Sequence, residues 1–219
     1  MHEMKNCNAI VCNCDFLTAV ARNCGATASQ FDRDQTHGFN REIKEATLNY
    51  PEAITAYQGY HSFIDQAINQ INANFGGDLV IDIHGHGDGN YTMIGYLLTG
   101  AHLNRDVFNT LSVITSIEPL CGSNRNECIR GNSSFGTALE LNGLSIVYPS
   151  LAHPKPGSID FLSGGFITRN YISRINAIQT ELPISMRTAA NRLDNAKKYA
   201  QAIVDYIQRN SLLRSSTTR

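Results

Sequence analysis

Net charge is what this 219-residue chain lacks: 18 lysines and arginines stand against 19 aspartates and glutamates, leaving −1 with the histidines neutral. A chain so balanced has no electrostatic footprint for nucleic acid or for an anionic membrane surface. Long hydrophobic runs are missing too, since no stretch approaches the roughly 18–20 apolar residues of a spanning helix. The opening Met1-His2-Glu3-Met4-Lys5-Asn6 has no apolar core of a secretory leader. Internal repeats and linker-like segments are absent, and the length suits one domain with a sizeable core. The expectation is a soluble single domain over residues 1–210 with a frayed tail at 211–219.

Six cysteines are present, four near the start (Cys7, Cys12, Cys14, Cys24) and two at Cys121 and Cys128. The spacings C-x4-C-x-C-x9-C and C-x6-C match no common zinc or redox pattern. An even, clustered set fits disulfides and an oxidising compartment. Reduced thiols packed as small hydrophobes fit equally well. The compartment, cytoplasmic or extracellular, stays open.

Along the chain, Asp15 can cap a helix over 16–23 that stops at Gly25, before a polar, irregular stretch that runs to Arg41. Pro51 opens a long helix to about Asn74, with Ala53, Ile54, Tyr57, Tyr60, Ile64, Ile68 and Ile71 at helical spacing. Gly76-Gly77 ends it, and Leu79, Val80, Ile81 and Ile83 read as a buried strand over 79–83. A second strand is expected from Thr92 to Leu98, a short helix near 105–110, and a cysteine-bearing loop after it. Ser133-Ser134 caps a helix through Leu141, and Leu144–Tyr148 is a strand. Residues 149–170 read as a long loop of the kind that is usually functional. A strand at 175–182 and a helix at 189–208 complete the pattern. Strands alternating with helices predict α/β layers around a mostly parallel or mixed sheet.

The chemistry concentrates at Asp82-Ile83-His84-Gly85-His86-Gly87. A buried strand that releases imidazoles between glycines at its carboxyl end is where an open α/β sheet puts its ligand site. Imidazole is the commonest metal ligand, so a metal at a strand terminus is the first hypothesis, with His84 and His86 on one face. Glu181, a carboxylate at the end of an apolar strand, is costly there unless paired, metal-bound or protonated, which makes it a general-base candidate. Asn40-Arg41 precedes a helix, and an arginine fork there could clamp a substrate carboxylate. His61 reads as a structural or surface residue, and His37, His102 and His153 have no supporting pattern.

Taken in order, these pieces resemble the N-formylglutamate amidohydrolase family, and more distantly the aspartoacylase and zinc carboxypeptidase group. The matching stretches are Phe39–Ala46, Tyr60-His61-Ser62-Phe63-Ile64, Asp82–Gly87, Gly95-Tyr96-Leu97-Leu98, Ser163–Thr168 and Ala177–Pro183. The resemblance implies a three-layer α/β/α domain with a mixed central sheet, one Zn2+ ion, and hydrolysis of the amide of a small acidic N-acyl amino acid such as N-formylglutamate. It makes His84 a zinc ligand, Glu181 the general base and Asn40-Arg41 the carboxylate clamp. His86, Gly164, Gly165, Thr168 and Arg187 would line the substrate pocket. Family members also carry an early Pro-His-Gly-Gly type of segment followed by an acidic residue, which supplies two further zinc ligands. No such segment stands ahead of Phe39, and His2-Glu3 does not map onto it. The alternative expectation is therefore a degenerate or incomplete member without metal or catalysis, at most a carboxylate-binding or extracellular recognition protein.

Overall fold

The computed structural model describes residues 42–75 and 79–212, together with the backbone of two earlier strands, β1 (Ala9–Cys12) and β2 (Ala28–Ser29). The helix expected at 16–23, the clamp candidates Asn40 and Arg41, His37, and Cys7, Cys14 and Cys24 lie outside the described residues. The remaining elements are α1 (Ile43–Thr47), α2 (Pro51–Phe75), β3 (Leu79–His86), β4 (Thr92–Gly95), α3 (Gly100–Leu103), α4 (Glu118–Cys121), α5 (Arg125–Arg130), α6 (Phe135–Leu141), β5 (Val147–Tyr148), α7 (Phe166–Tyr171), β6 (Asn176–Pro183), α8 (Ile184–Arg187) and α9 (Arg192–Arg209).

The fold is mixed α/β. Its strands run in the order β2-β1-β3-β6-β4-β5. The central pair, β3 and β6, is parallel over eight positions, from Leu79 opposite Asn176 to His86 opposite Pro183. Strand β4 runs antiparallel to β6, and β5 runs parallel to β4, so the sheet is mixed.

Side-chain alternation along β3 assigns its two faces. Leu79, Ile81 and Ile83 enter one core with Ile178, Leu182 and the buried stripe Ala196, Tyr199, Ala200 and Ile203 of α9. Val80 and Ala177 turn the other way, into a second cluster with Tyr57, Tyr60, Ile64, Ile68 and Ile71 of α2 and Ile167 and Tyr171 of α7. The three-and-four spacing of those α2 residues gives the helix a single apolar stripe, and each large side chain fully buried on it contributes about 1.5–3 kcal/mol. The same face carries the polar half of β3, which is how one strand serves both core and site.

Several elements differ from expectation, and the strands expected over 92–98 and 144–148 shorten to Thr92–Gly95 and Val147–Tyr148. Residues 105–110 do not form a helix. The buried Arg130 guanidinium donates there to Arg105 O at 3.1 Å and Asp106 O at 3.4 Å, and just before them to Leu103 O at 2.7 Å. The helix starts earlier, where Thr99 and His102 form a reciprocal capping box. The cysteine-bearing stretch holds α4 and α5, tied by a Cys121–Cys128 disulfide and a Glu118–Arg125 ion pair of 2.8 Å. The long loop ends at Gly165, because Ile167 and Tyr171 pack under α2 and draw residues 166–171 into a helix. No helix among the described residues is long and apolar enough to cross a membrane.

Candidate functional site

Four polar side chains occupy neighbouring positions on one face of the central pair. Asp82 lies opposite Gln179 in the register, and His84 lies opposite Glu181. Because both strands run the same way, the result is a two-by-two grid beyond the apolar Val80–Ala177 pair and toward the carboxyl ends of β3 and β6. Asp82, Gln179 and Glu181 are buried, while the His84 side chain is 25% exposed and forms the open corner.

The contacts follow the grid. Nε2 of His84 meets Asp82 Oδ2 at 2.9 Å, and Nδ1 faces Glu181 Oε1 at 3.9 Å. Gln179 Nε2 donates to that same Glu181 oxygen at 2.8 Å. Burial alone would depress the pKa of His84. The Asp82 carboxylate, by charge and hydrogen bond, and Glu181 behind it, outweigh burial and raise it to about 9. Burial pushes the Glu181 carboxyl above its ordinary range. The His84 charge and the Gln179 N–H oppose that rise, and Asp82 adds to it. A buried carboxylate with elevated proton affinity, one oxygen tethered, is suited to accept and return a proton.

Sequence reasoning identified His84 and Glu181 and missed Asp82 and Gln179. The missed pair stands two residues earlier on each strand, the spacing that returns a strand side chain to the same face.

The other pocket candidates fall in two groups, His86 and Arg187 at the strand ends and Gly164, Gly165 and Thr168 over the sheet. His86 is buried beside the β3–β4 turn, with Nε2 bonded to Tyr91 O at 2.7 Å and Nδ1 accepting from Asp88 N at 3.2 Å. Both nitrogens thus serve the turn. Arg187 lies across Gly85, donating to His86 O at 3.1 Å and Leu182 O at 3.2 Å, so its guanidinium joins the ends of β3 and β6. Gly164, at φ +128°, and Gly165 pass close over the sheet. A Cβ on Gly95 of β4 would approach Gly164 N to 2.6 Å, and one on Gly165 would approach Gln179 Oε1 to 2.6 Å. Thr168 follows in α7, fully buried, and its hydroxyl has no hydrogen-bond partner among the described residues. The glycine loop therefore roofs the Gln179 corner of the grid.

The remaining histidines have other partners. Nδ1 of His61 meets the Tyr171 hydroxyl at 2.7 Å inside an aromatic nest of Tyr57, Tyr60 and Phe166. His153 contacts Glu140 at 2.7 Å on the loop after β5. Two surface cavities of about 550 and 570 Å3, one lined by residues from His102 to Val113 and one near Asn72, Arg174 and Asn210, include none of the grid residues.

As a metal centre the grid is partial. Nε2 of His84 stands 2.9 Å from Asp82 Oδ2, and Nδ1 faces Glu181 Oε1 at 3.9 Å. Among the described residues no three His, Cys, Asp or Glu side chains converge in a way that could hold a metal ion. A catalytic zinc wants three protein ligands and an open position. The described donors alone do not make that site.

Comparison with known proteins adds no family: no family model, no curated protein and no solved structure matches the chain.

Proposed function

We propose that this protein is a hydrolase of N-acylated amino acids, the activity implied by its resemblance to the N-formylglutamate amidohydrolase family, on a three-layer α/β/α scaffold of the zinc carboxypeptidase kind. The observation that carries the reading is the pairing of His84 with Glu181 at 3.9 Å on register-matched positions of β3 and β6. Two residues 97 positions apart in sequence, singled out separately by their chemistry, face one another at the carboxyl end of the sheet.

In this reading Glu181 accepts a proton from the attacking water, whose oxygen bonds to the amide carbon. The carbon–nitrogen bond then breaks, and Glu181 returns the proton to the departing amine. Its elevated proton affinity fits both halves of that exchange. Asn40 and Arg41 are the clamp for the substrate carboxylate. Gly164, Gly165 and Thr168 wall the pocket, while Arg187 fixes the strand ends. The implied Zn2+ would have His84 among its ligands, and its full donor set is not made by the described residues.

The test is release of free glutamate from N-formylglutamate by purified protein, with and without added zinc, alongside elemental analysis. Turnover with about one zinc per chain supports the reading. No turnover and no zinc supports a second one, a metal-free member without catalysis. That reading is favoured by one specific observation: both nitrogens of His84 already face carboxylates.

A further inference from the structure

Gln179 is a corner of the grid to which the hydrolytic scheme gives no part. Its side chain is buried in the sheet face, and its two amide ends have different fates. Nε2 donates to Glu181 Oε1 at 2.8 Å, whereas Oε1 has no hydrogen-bond partner among the described residues and sits where a Cβ on Gly165 would approach to 2.6 Å. The two oxygens of Glu181 differ correspondingly. Oε1 receives the Gln179 N–H and faces His84 Nδ1. Among the described residues Oε2 has no hydrogen-bond partner.

The terminal torsion of glutamate is broad, so a carboxylate held only through its stem can present its oxygens at many angles. A donor fixed on one oxygen holds the plane of the group. We propose that Gln179 is the positioning residue of the site: it pins Glu181 Oε1, so that Oε2 is the oxygen presented to water. Gly165 is the second half of the device, because only a residue without a side chain leaves room for the amide in that pose. The catalytic consequence rests on the hydrolase reading above; the pinning itself does not.

The experiment has two arms, using Q179M, which keeps the length and loses the N–H, and G165A, which puts a methyl against the amide oxygen. The first arm records 15N–1H spectra of full-length protein labelled at glutamine side chains. The Gln179 pair, identified by its loss in Q179M, should exchange slowly with solvent and should shift in E181Q. Exchange as fast as that of exposed amides, or no response to E181Q, overturns the proposal. The second arm measures kcat and KM on N-formylglutamate. Q179M and G165A should each lower kcat about 10–100-fold with KM nearly unchanged. The double variant should be no worse than the poorer single variant, since both changes unpin the same carboxylate. Additive losses, or losses carried by KM, overturn the proposal. Should G165A fail to fold, Q179E replaces it: an acceptor in place of the donor should lower kcat further than Q179M, and an equal or smaller loss overturns the pinning. Wild-type protein that shows the protected, Glu181-sensitive amide but no turnover sinks the hydrolase reading alone.

Discussion

Nδ1 of His84 and Oε1 of Glu181 stand 3.9 Å apart across the β3–β6 seam, too far for a hydrogen bond and close enough to act on one small species. Which of two roles Glu181 plays decides the first prediction. Glu181→Gln keeps the shape and the contact with Gln179 but removes the basicity. If Glu181 is the base, amide hydrolysis should fall at least about 100-fold while bound zinc, by elemental analysis, stays at the wild-type level. Joint loss of zinc would move Glu181 from base to ligand.

His84 gives a pH prediction with a definite sign. Its folded pKa of about 9 lies above the ordinary 6.5, so its protonated form favours the folded state. That contribution is complete below pH 6.5 and disappears as pH rises through about 9. Urea unfolding of chelator-treated protein should show stability declining across that window. Asp82→Asn removes the largest charge partner and should flatten the decline; an unchanged slope would show that Asp82 is not its source.

Gly85 and Arg187 form a separable structural pair. A methyl at residue 85 would occupy the space of the guanidinium and push it off His86 O and Leu182 O. The displaced group is the flexible end of a long side chain, so Gly85→Ala should cost only about 1–2 kcal/mol. Arg187→Ala in the same background should add little, because the same two hydrogen bonds are already gone. Denaturation midpoints of the two single variants and the double variant decide it. Independent, summing losses would separate the two residues.

The Cys121–Cys128 disulfide closes a short loop, with a sequence separation of 7. Chain entropy for so small a ring gives about 2.5 kcal/mol, near the low end for disulfides. The double change Cys121→Ser with Cys128→Ser should therefore lower stability by up to that amount without unfolding the protein. The Glu118–Arg125 pair is a second bridge between α4 and α5 that the change does not touch. Urea unfolding with and without reductant measures the loss, which the double-serine variant should not show.

The sequence made some parts legible and concealed others for physical reasons. The α2 stripe from Tyr57 to Ile71 and the buried strand at Leu79 were plain, because their apolar spacing is strong and local. Ser134 capped its helix as expected, its hydroxyl accepting from Thr137 N at 3.3 Å. The helix expected at 105–110 was lost to a long-range partner, Arg130, which competes for the same carbonyls and lies more than 20 residues away. His84 and Glu181 carried their own chemical signal. Asp82 and Gln179 did not, because an aspartate or glutamine inside an apolar run acquires meaning only when its register partner is known. Glycine roles were hidden for the same reason: Gly165 and Gly85 matter for what lies above them, which spacing along the chain does not report.

The alternation along β3 has a consequence for how such a protein can change over generations. Leu79, Ile81 and Ile83 maintain the scaffold from one side, and Asp82 and His84 face the other. Substitutions among the polar set leave the apolar packing against α9 in place, so they cost the fold only what the Asp82–His84 pair itself contributes. A lineage could lose the reaction, or acquire another, while inheriting that apolar half intact.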